Sequence, residues 1–195
     1  MAIAQRSEFQ DQDPQPSIQS KPNELRLIPY VEINGARTLP DSFIEDVFTE
    51  MVVEGLVSSV FATTLVKDSG DFLKMMKSPS NVPVFALSGD RCIGFSWLNN
   101  VGVTNAFGHF CYFPNQEFTA MEWGRKVMDY WWSLKGTKGY ALDVLLGSIP
   151  AFNQRAVAFI QKLGFVKLGE IPNLFINPMT GEKWASVVLY SLRPS

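Results

Sequence analysis

One histidine and two cysteines in 195 residues leave little for metal or disulfide chemistry. His109, Cys92 and Cys111 lack the spacing of a zinc site. No CxxC occurs and no disulfide framework can be drawn, which fits a reducing compartment. Charge is also sparse, at 18% of residues with a net of −2. That balance provides no general basic field, which excludes bulk electrostatic binding of nucleic acid. No run of about 18 uncharged apolar residues is present, so no membrane-spanning helix is expected. Met1 to Pro22 has no positive start followed by an apolar run, so it does not read as a signal peptide. The expectation is a soluble protein of the cytoplasm with no membrane partner.

What the chain does have is material for a core. Apolar residues make up 46%, with 15 Phe, 5 Trp and 5 Tyr. The length suits one domain, since domains run to roughly 100–200 residues. Gln, Asp, Ser and Pro dominate residues 1–22, which reads as a disordered tail. A single domain is expected over residues 23–195.

Leu25 to Ile33 has strand-like spacing, and Pro29 within it points to an edge or a bend. Pro40-Asp41-Ser42 opens a helix with Phe43, Val47, Met51 and Val52 as its stripe and Gly55 as its stop. A second helical stretch, about Val57 to Met76, is expected to break at Gly70. Val82 to Leu87 and Cys92 to Leu98 form a hairpin around Ser88 to Arg91. Val101 to Phe113 is a third strand, with His109, Cys111 and Phe113 on one side and Phe110 and Tyr112 on the other. Thr119 and Glu122 fit a capping box for a helix running to Leu134, with Met121, Gly124, Val127, Met128, Trp131 and Leu134 facing inward. Tyr140 to Leu146 reads as a central strand. Asn153 caps a helix with a buried face of Phe152, Ala156, Phe159, Ile160 and Leu163, and Gly164 stops it. Short strands at Phe165 to Glu170 and Leu174 to Ile176, a turn at Pro178 to Gly181 and a last strand, Trp184 to Tyr190, complete the order. The sum is a mixed α/β fold in three layers, with a curved sheet between helices on both faces.

The segment Leu142 to Glu170, LDVLLGSIPAFNQRAVAFIQKLGFVKLGE, resembles the acyl-CoA-binding half of the GNAT acetyltransferase superfamily. The resemblance rests on a strand, then Asn153-x-x-Ala156, then Leu163-Gly164-Phe165 and a strand ending at Gly169. The element order over residues 24–192 matches the same fold, whose central sheet is mixed but mainly antiparallel. The stretch Gly108 to Gly124, GHFCYFPNQEFTAMEWG, looks most like GNAT-like proteins encoded by tailed phages and prophages.

The resemblance implies an acetyl-CoA site. Backbone N–H groups at the end of the third strand, about Cys111, Tyr112 and Phe113, would meet the acyl carbonyl and the oxyanion that follows. The turn Pro114 to Gly124, which runs into the helix N-terminus, would hold pyrophosphate, because a helix N-terminus presents unpaired N–H groups and a positive dipole end. Thr119, Trp123, Gly124 and Arg125 are the residues for that role, and Lys126 adds charge nearby. Asn153 and Ala156 would wall the pantetheine arm, with Asn153 equally readable as a plain helix cap.

The sequence departs from the family pattern in two places. In the phosphate turn Thr119 stands at the first Arg or Gln position and Glu122 at the first glycine, and a carboxylate there repels a pyrophosphate. Ile160 stands seven residues after Asn153, where many members carry the Tyr that protonates the thiolate of CoA.

His109 is the candidate base, against a bland reading as a histidine hydrogen-bonded within the sheet. Tyr130-Trp131-Trp132 reads as core packing before ligand platform. Cys111 as an acyl-carrying nucleophile needs an electropositive setting that its neighbours do not supply. Tyr112 and Tyr190 are alternative acids. The acceptor groove is expected between the first helices and the loops around Leu98 to Asn105. The expected activity is acetyl transfer to a primary amine in a ternary complex. The alternative is a GNAT-fold module without catalysis, used in binding or in phage assembly. A hydrolase would need a Ser-His-acid or metal constellation that the sequence lacks. A homodimer through the last strands is a further expectation for such folds.

Overall fold

The computed structural model describes residues 24–114, 117–137 and 139–194. The expected tail, residues 1–22, lies outside them. The elements in chain order are β1 (Leu25–Pro29), β2 (Glu32–Ile33), β3 (Ala36–Arg37), α1 (Asp41–Val53), α2 (Val57–Val60), α3 (Ser69–Lys77), β4 (Val82–Ser88), β5 (Arg91–Asn99), β6 (Asn105–Tyr112), α4 (Ala120–Ser133), β7 (Lys135–Gly136), β8 (Gly139–Tyr140), β9 (Val144–Pro150), α5 (Gln154–Lys162), β10 (Val166–Ile176) and β11 (Lys183–Leu192). Seven strands form one sheet in the order β1-β4-β5-β6-β9-β11-β10, and β2-β3 and β7-β8 are small separate hairpins. Every pairing in the large sheet is antiparallel except β6 with β9.

The alternation of side chains across the sheet divides the apolar residues into two cores. On one face Val84, Ala86, Ala106 and Leu145 pack under Trp123, Val127 and Trp131 of α4 and Val157 and Ile160 of α5. On the other face Phe85, Phe95, Trp97 and Cys111 pack under Ile44, Val47, Phe48 and Met51 of α1 and Phe72 and Met76 of α3. Ile93 and Phe95 share parity but face opposite cores. The cause is a register shift: Ala86 pairs with Gly94 and Leu87 with Cys92, leaving Ile93 as the extra residue of a bulge. Phe72, Phe85 and Phe95 are fully buried, each worth about 1.5–3 kcal/mol of removal from water.

Several elements lie where the sequence pattern puts them. Pro29 sits in the edge strand β1, where its missing N–H costs no ladder bond to an outer neighbour. The Gly89-Asp90 hairpin and the Gly164 stop both use a positive φ. Others differ. The stripe of α1 is Ile44, Val47, Phe48 and Met51, and Val52 faces out. The second helical stretch breaks over residues 61–68, not at Gly70. Asp68 caps α3 by accepting from Asp71 N at 2.8 Å, which puts Gly70 inside the first turn. The central strand begins at Val144 and runs to Pro150. Tyr140 belongs to the β7-β8 hairpin, under the Lys135 ammonium at 3.1 Å from its ring. The two short strands after α5 are one strand, β10, carrying two register shifts. Phe152 is exposed and rests edge-on against Trp184, leaving Val157 and Ile160 as the fully buried contacts of α5.

Candidate active site

The site is a gap in the sheet. β6 pairs with β5 from Asn99↔Phe107 through Gly94↔Tyr112. Its pairing with β9 stops after Phe107↔Leu146. Beyond that point Gly108–Tyr112 and Gly147–Pro150 diverge and wall a cavity of about 340 Å³ that passes from one face of the sheet to the other. On the α4/α5 face it is lined by Ala120, Trp123, Asn153, Arg155, Ala156 and Phe159; on the other by Leu56, Ser59, Val60 and Trp97. His109, Phe110, Cys111 and Tyr112 line its length along β6.

Ladder alternation decides which amides of β6 meet that gap. The Phe113 N–H donates to the Ile93 carbonyl at 3.0 Å. By the same register the amides of Cys111 and His109 face β5, and those of Phe110 and Tyr112 face the gap side. The amide expected to meet an acyl carbonyl is therefore not that of Cys111 or Phe113, and Phe113 does not line the cavity.

β6 is held in place from α4. Trp131 Nε1 donates to Ser96 Oγ at 3.1 Å, and Ser96 Oγ donates to the His109 carbonyl at 2.6 Å. The His109 ring stacks on Trp97 with centroids 4.4 Å apart and planes 7° from parallel. It is not the sheet-bonded histidine of the bland reading. The ring is partly covered, yet Nε2 is sealed from water and has no hydrogen-bond partner among the described residues. Burial pushes its pKa down to about 4, because the charged form is the one penalised by desolvation. Near pH 7 His109 is thus a neutral imidazole, able to accept a hydrogen bond but a poor holder of a proton. Cys111 is buried, and desolvation drives its thiol far above the usual range. A thiol held protonated is no nucleophile.

The N-terminus of α4 is closed by its own side chains. Glu122 accepts from the Thr119 N–H at 2.7 Å and from Thr119 Oγ1 at 2.8 Å, and the Glu122 N–H donates to Thr119 Oγ1 at 3.2 Å. The carboxylate pKa is lowered, first by the Thr119 backbone N–H. The expected phosphate turn thus presents a negative charge. Thr119, Gly124 and Arg125 do not line the cavity. Gly124 serves helix packing instead: a Cβ there would lie 2.8 Å from Phe159 Cζ and 2.9 Å from Leu163 Cδ1. Trp123 does line the cavity, as a fully buried floor stacked on Phe159 at 6.2 Å and edge-on to Phe110 at 6.0 Å. Asn153 caps α5 by accepting from Ala156 N at 3.1 Å, and both line the cavity.

Of the two tyrosines weighed as acids, Tyr112 lines the cavity and donates its hydroxyl to the Phe118 carbonyl. Tyr190 lies on β11, opposite Leu146, away from it. Ile160 puts an apolar wall where the family pattern has a phenol, its Cδ1 close against Gly147. The α1–α2 segment contributes to the groove as expected, but the loop after Leu98 does not.

Sequence reasoning passed over Trp97, Phe110 and Arg155. Arg155 reads from sequence as one more exposed cation on a helix. In the fold it is the single charged residue among the described residues that line the cavity, and no carboxylate pairs with it there.

A mainly antiparallel seven-stranded sheet, split between β6 and β9 with helices on both faces, is the GNAT-type architecture. The solved structures it matches carry that fold. The spermidine N-acetyltransferase of Vibrio cholerae, crystallised with CoA and spermine, is similar over 87% of this chain and 95% of its own, with a TM-score of 0.62 at 15% identity. A chimera of that enzyme with hSSAT is similar over 64% of this chain and 75% of its own, with a TM-score of 0.51 at 16% identity. No family model matches the chain, and no curated protein sequence does.

Proposed function

We propose that this chain transfers an acetyl group from acetyl-CoA to a primary amine in a ternary complex. The observation that carries the reading is the cavity at the split of β6 and β9, open toward both faces of the sheet, so that donor and acceptor can meet end to end. The likeness in fold to the spermidine N-acetyltransferases supports it. Acetyl-CoA supplies an acyl thioester when bound. The amides of Phe110 and Tyr112, on the gap side of β6, would be the donors for the carbonyl and for the charge that develops on it. Asn153, Ala156 and Phe159 confine the arm, and the gap sets the attack distance by proximity. With Nε2 sealed, Nδ1 is the His109 atom that would accept a hydrogen bond from the amine, which attacks as its neutral form. The proton shed by the amine nitrogen would pass to an ordered water, and Tyr112 or that water would return one to the sulfur of the departing thiol, so that the exchange balances.

The residues fit the thioester arm better than the diphosphate. Glu122 holds a carboxylate at the N-terminus of α4, so Arg155 is the cation assigned to the donor's phosphates. The same Glu122, with Ile160, favours a second reading: a GNAT-fold module without catalysis. A thermal shift of the full chain with acetyl-CoA, CoA and a control nucleotide separates the two. Binding to the folded state alone adds about 2.7 kcal/mol at a hundredfold excess over Kd. The expected result is a rise with acetyl-CoA that Arg155→Glu removes; no rise at millimolar ligand leaves the module.

The narrower likeness to phage-encoded proteins, a single domain over residues 23–195, a cytoplasmic setting and a homodimer through the last strands belong to the same proposal. The phage likeness has no support beyond the stretch Gly108 to Gly124.

A further inference from the structure

We infer that the amine acceptor is a monoamine with an apolar or aromatic body, and that this site rejects polyamines. The inference rests on the acyl-transfer reading and names its substrate class.

The acceptor half of the cavity is the face toward α1 and α2, walled by Leu56, Ser59, Val60, Trp97 and His109. None of these is charged near neutral pH. Around the whole cavity, the described lining residues include one formal charge, Arg155, and it is positive. A polyamine carries several ammonium groups. Each one taken from water needs a carboxylate or a set of acceptors to replace its hydration. Here no lining carboxylate exists among the described residues, and the single fixed charge, Arg155, lies on the other face of the sheet.

An aromatic cage is the other way to hold an ammonium, and it is closed too. Trp97 is 5% exposed, so little of its ring is left for an ammonium. His109 stacks on it at 4.4 Å, and Phe95 stacks at 5.8 Å with planes 19° apart. What the wall presents to a ligand is aliphatic side chain, aromatic ring, one hydroxyl and one neutral imidazole. That surface rewards an apolar or aryl body through contact area. It offers the reacting nitrogen neutral acceptors, the Ser59 hydroxyl and the imidazole, and offers a second ammonium no carboxylate among the described residues.

His109 is the only histidine in the chain, so its ring protons give an isolated NMR signal at the site. The full chain would be titrated with 2-phenylethylamine and, separately, spermidine. Expected is a shift of the His109 resonances with phenylethylamine at a Kd at least tenfold below that of spermidine. Ser59→Asp places a carboxylate at an exposed position of the acceptor wall, where folding is not at stake. It should improve spermidine binding several-fold and weaken the preference. Spermidine binding as tightly as phenylethylamine, or neither amine moving the His109 signal, overturns the inference. The acetyl-CoA thermal shift is read independently. A chain that shifts with acetyl-CoA but prefers spermidine keeps the acyl-transfer reading and loses this one. A chain that takes phenylethylamine at His109 and never responds to acetyl-CoA does the reverse.

Discussion

Gly94 and His109 show how much single residues decide at the gap. A Cβ on Gly94 would lie 2.8 Å from the Cys111 carbonyl oxygen and 2.9 Å from the buried Trp123 ring. The first neighbour is backbone and the second is a fully buried indole, so neither yields easily. Gly94→Ala should cost about 2–3 kcal/mol by overpacking. Gly124→Ala meets only the ends of Phe159 and Leu163, both partly exposed, and gains up to about 1 kcal/mol of helix propensity. It should cost less, and urea unfolding of the two variants checks the order. His109 sets the pH dependence near neutrality. Its folded pKa is about 4 against an ordinary 6.5, so between those values the unfolded chain binds the extra proton. Its contribution is therefore fully present above about pH 6.5 and is lost as pH falls toward 4. Between pH 7.5 and pH 5 the linkage amounts to about 2 kcal/mol. Unfolding curves at the two pH values should show that loss, and His109→Phe should remove most of it. None of this was legible from the sequence, because desolvation and close approach depend on what a distant segment lays over a residue.

At the scale of elements, α4 carries the conflict between cap and ligand. Thr119-x-x-Glu122 is visible in sequence, and the fold builds the box it predicts. Thr119→Ala should cost about 1 kcal/mol, measured by thermal unfolding. Glu122→Gln is more telling: an amide can keep the capping contact while removing the negative charge. If the donor's diphosphate passes α4, its Kd by calorimetry should fall several-fold. An unchanged Kd would locate the diphosphate beside Arg155 alone. Short-range signals such as this box, the Asn153 cap and the Gly89-Asp90 hairpin were readable because their partners lie within a few residues. The break in the second helical stretch and the start of β9 were not. Residues 61–68 and Tyr140 to Asp143 carry apolar residues compatible with continued helix or strand, and tertiary contacts overrode the pattern. The split of β6 from β9 is the extreme case: it depends on a register between strands some forty positions apart, and no local pattern encodes it.

For the whole molecule, the unbalanced feature is the far end of the sheet. β10 is the terminal strand, eleven residues long, with β11 on one side and no strand of the described residues on the other. Leu168, Ile171, Leu174 and Ile176 are 46–62% exposed along it. Such a strand usually carries protection against pairing with another chain, and part of that protection is here. Register shifts follow Lys167 and Ile171, and Pro172 removes a donor at the second. An uninterrupted strand-to-strand ladder between two copies is therefore disfavoured, whereas burial of the apolar side chains against a second copy is not. The homodimer proposed for this chain should then be held by side chains rather than by main-chain bonds. Sedimentation of the full chain should show a monomer–dimer equilibrium that strengthens with salt, since salt screens charge repulsion and leaves apolar contact intact. Leu168→Lys combined with Ile171→Lys should give monomer at every concentration while leaving the melting temperature of the isolated fold within a few degrees, as both positions face solvent. A wild-type chain that stays monomeric at high concentration would mean that the bulged edge alone keeps this face single.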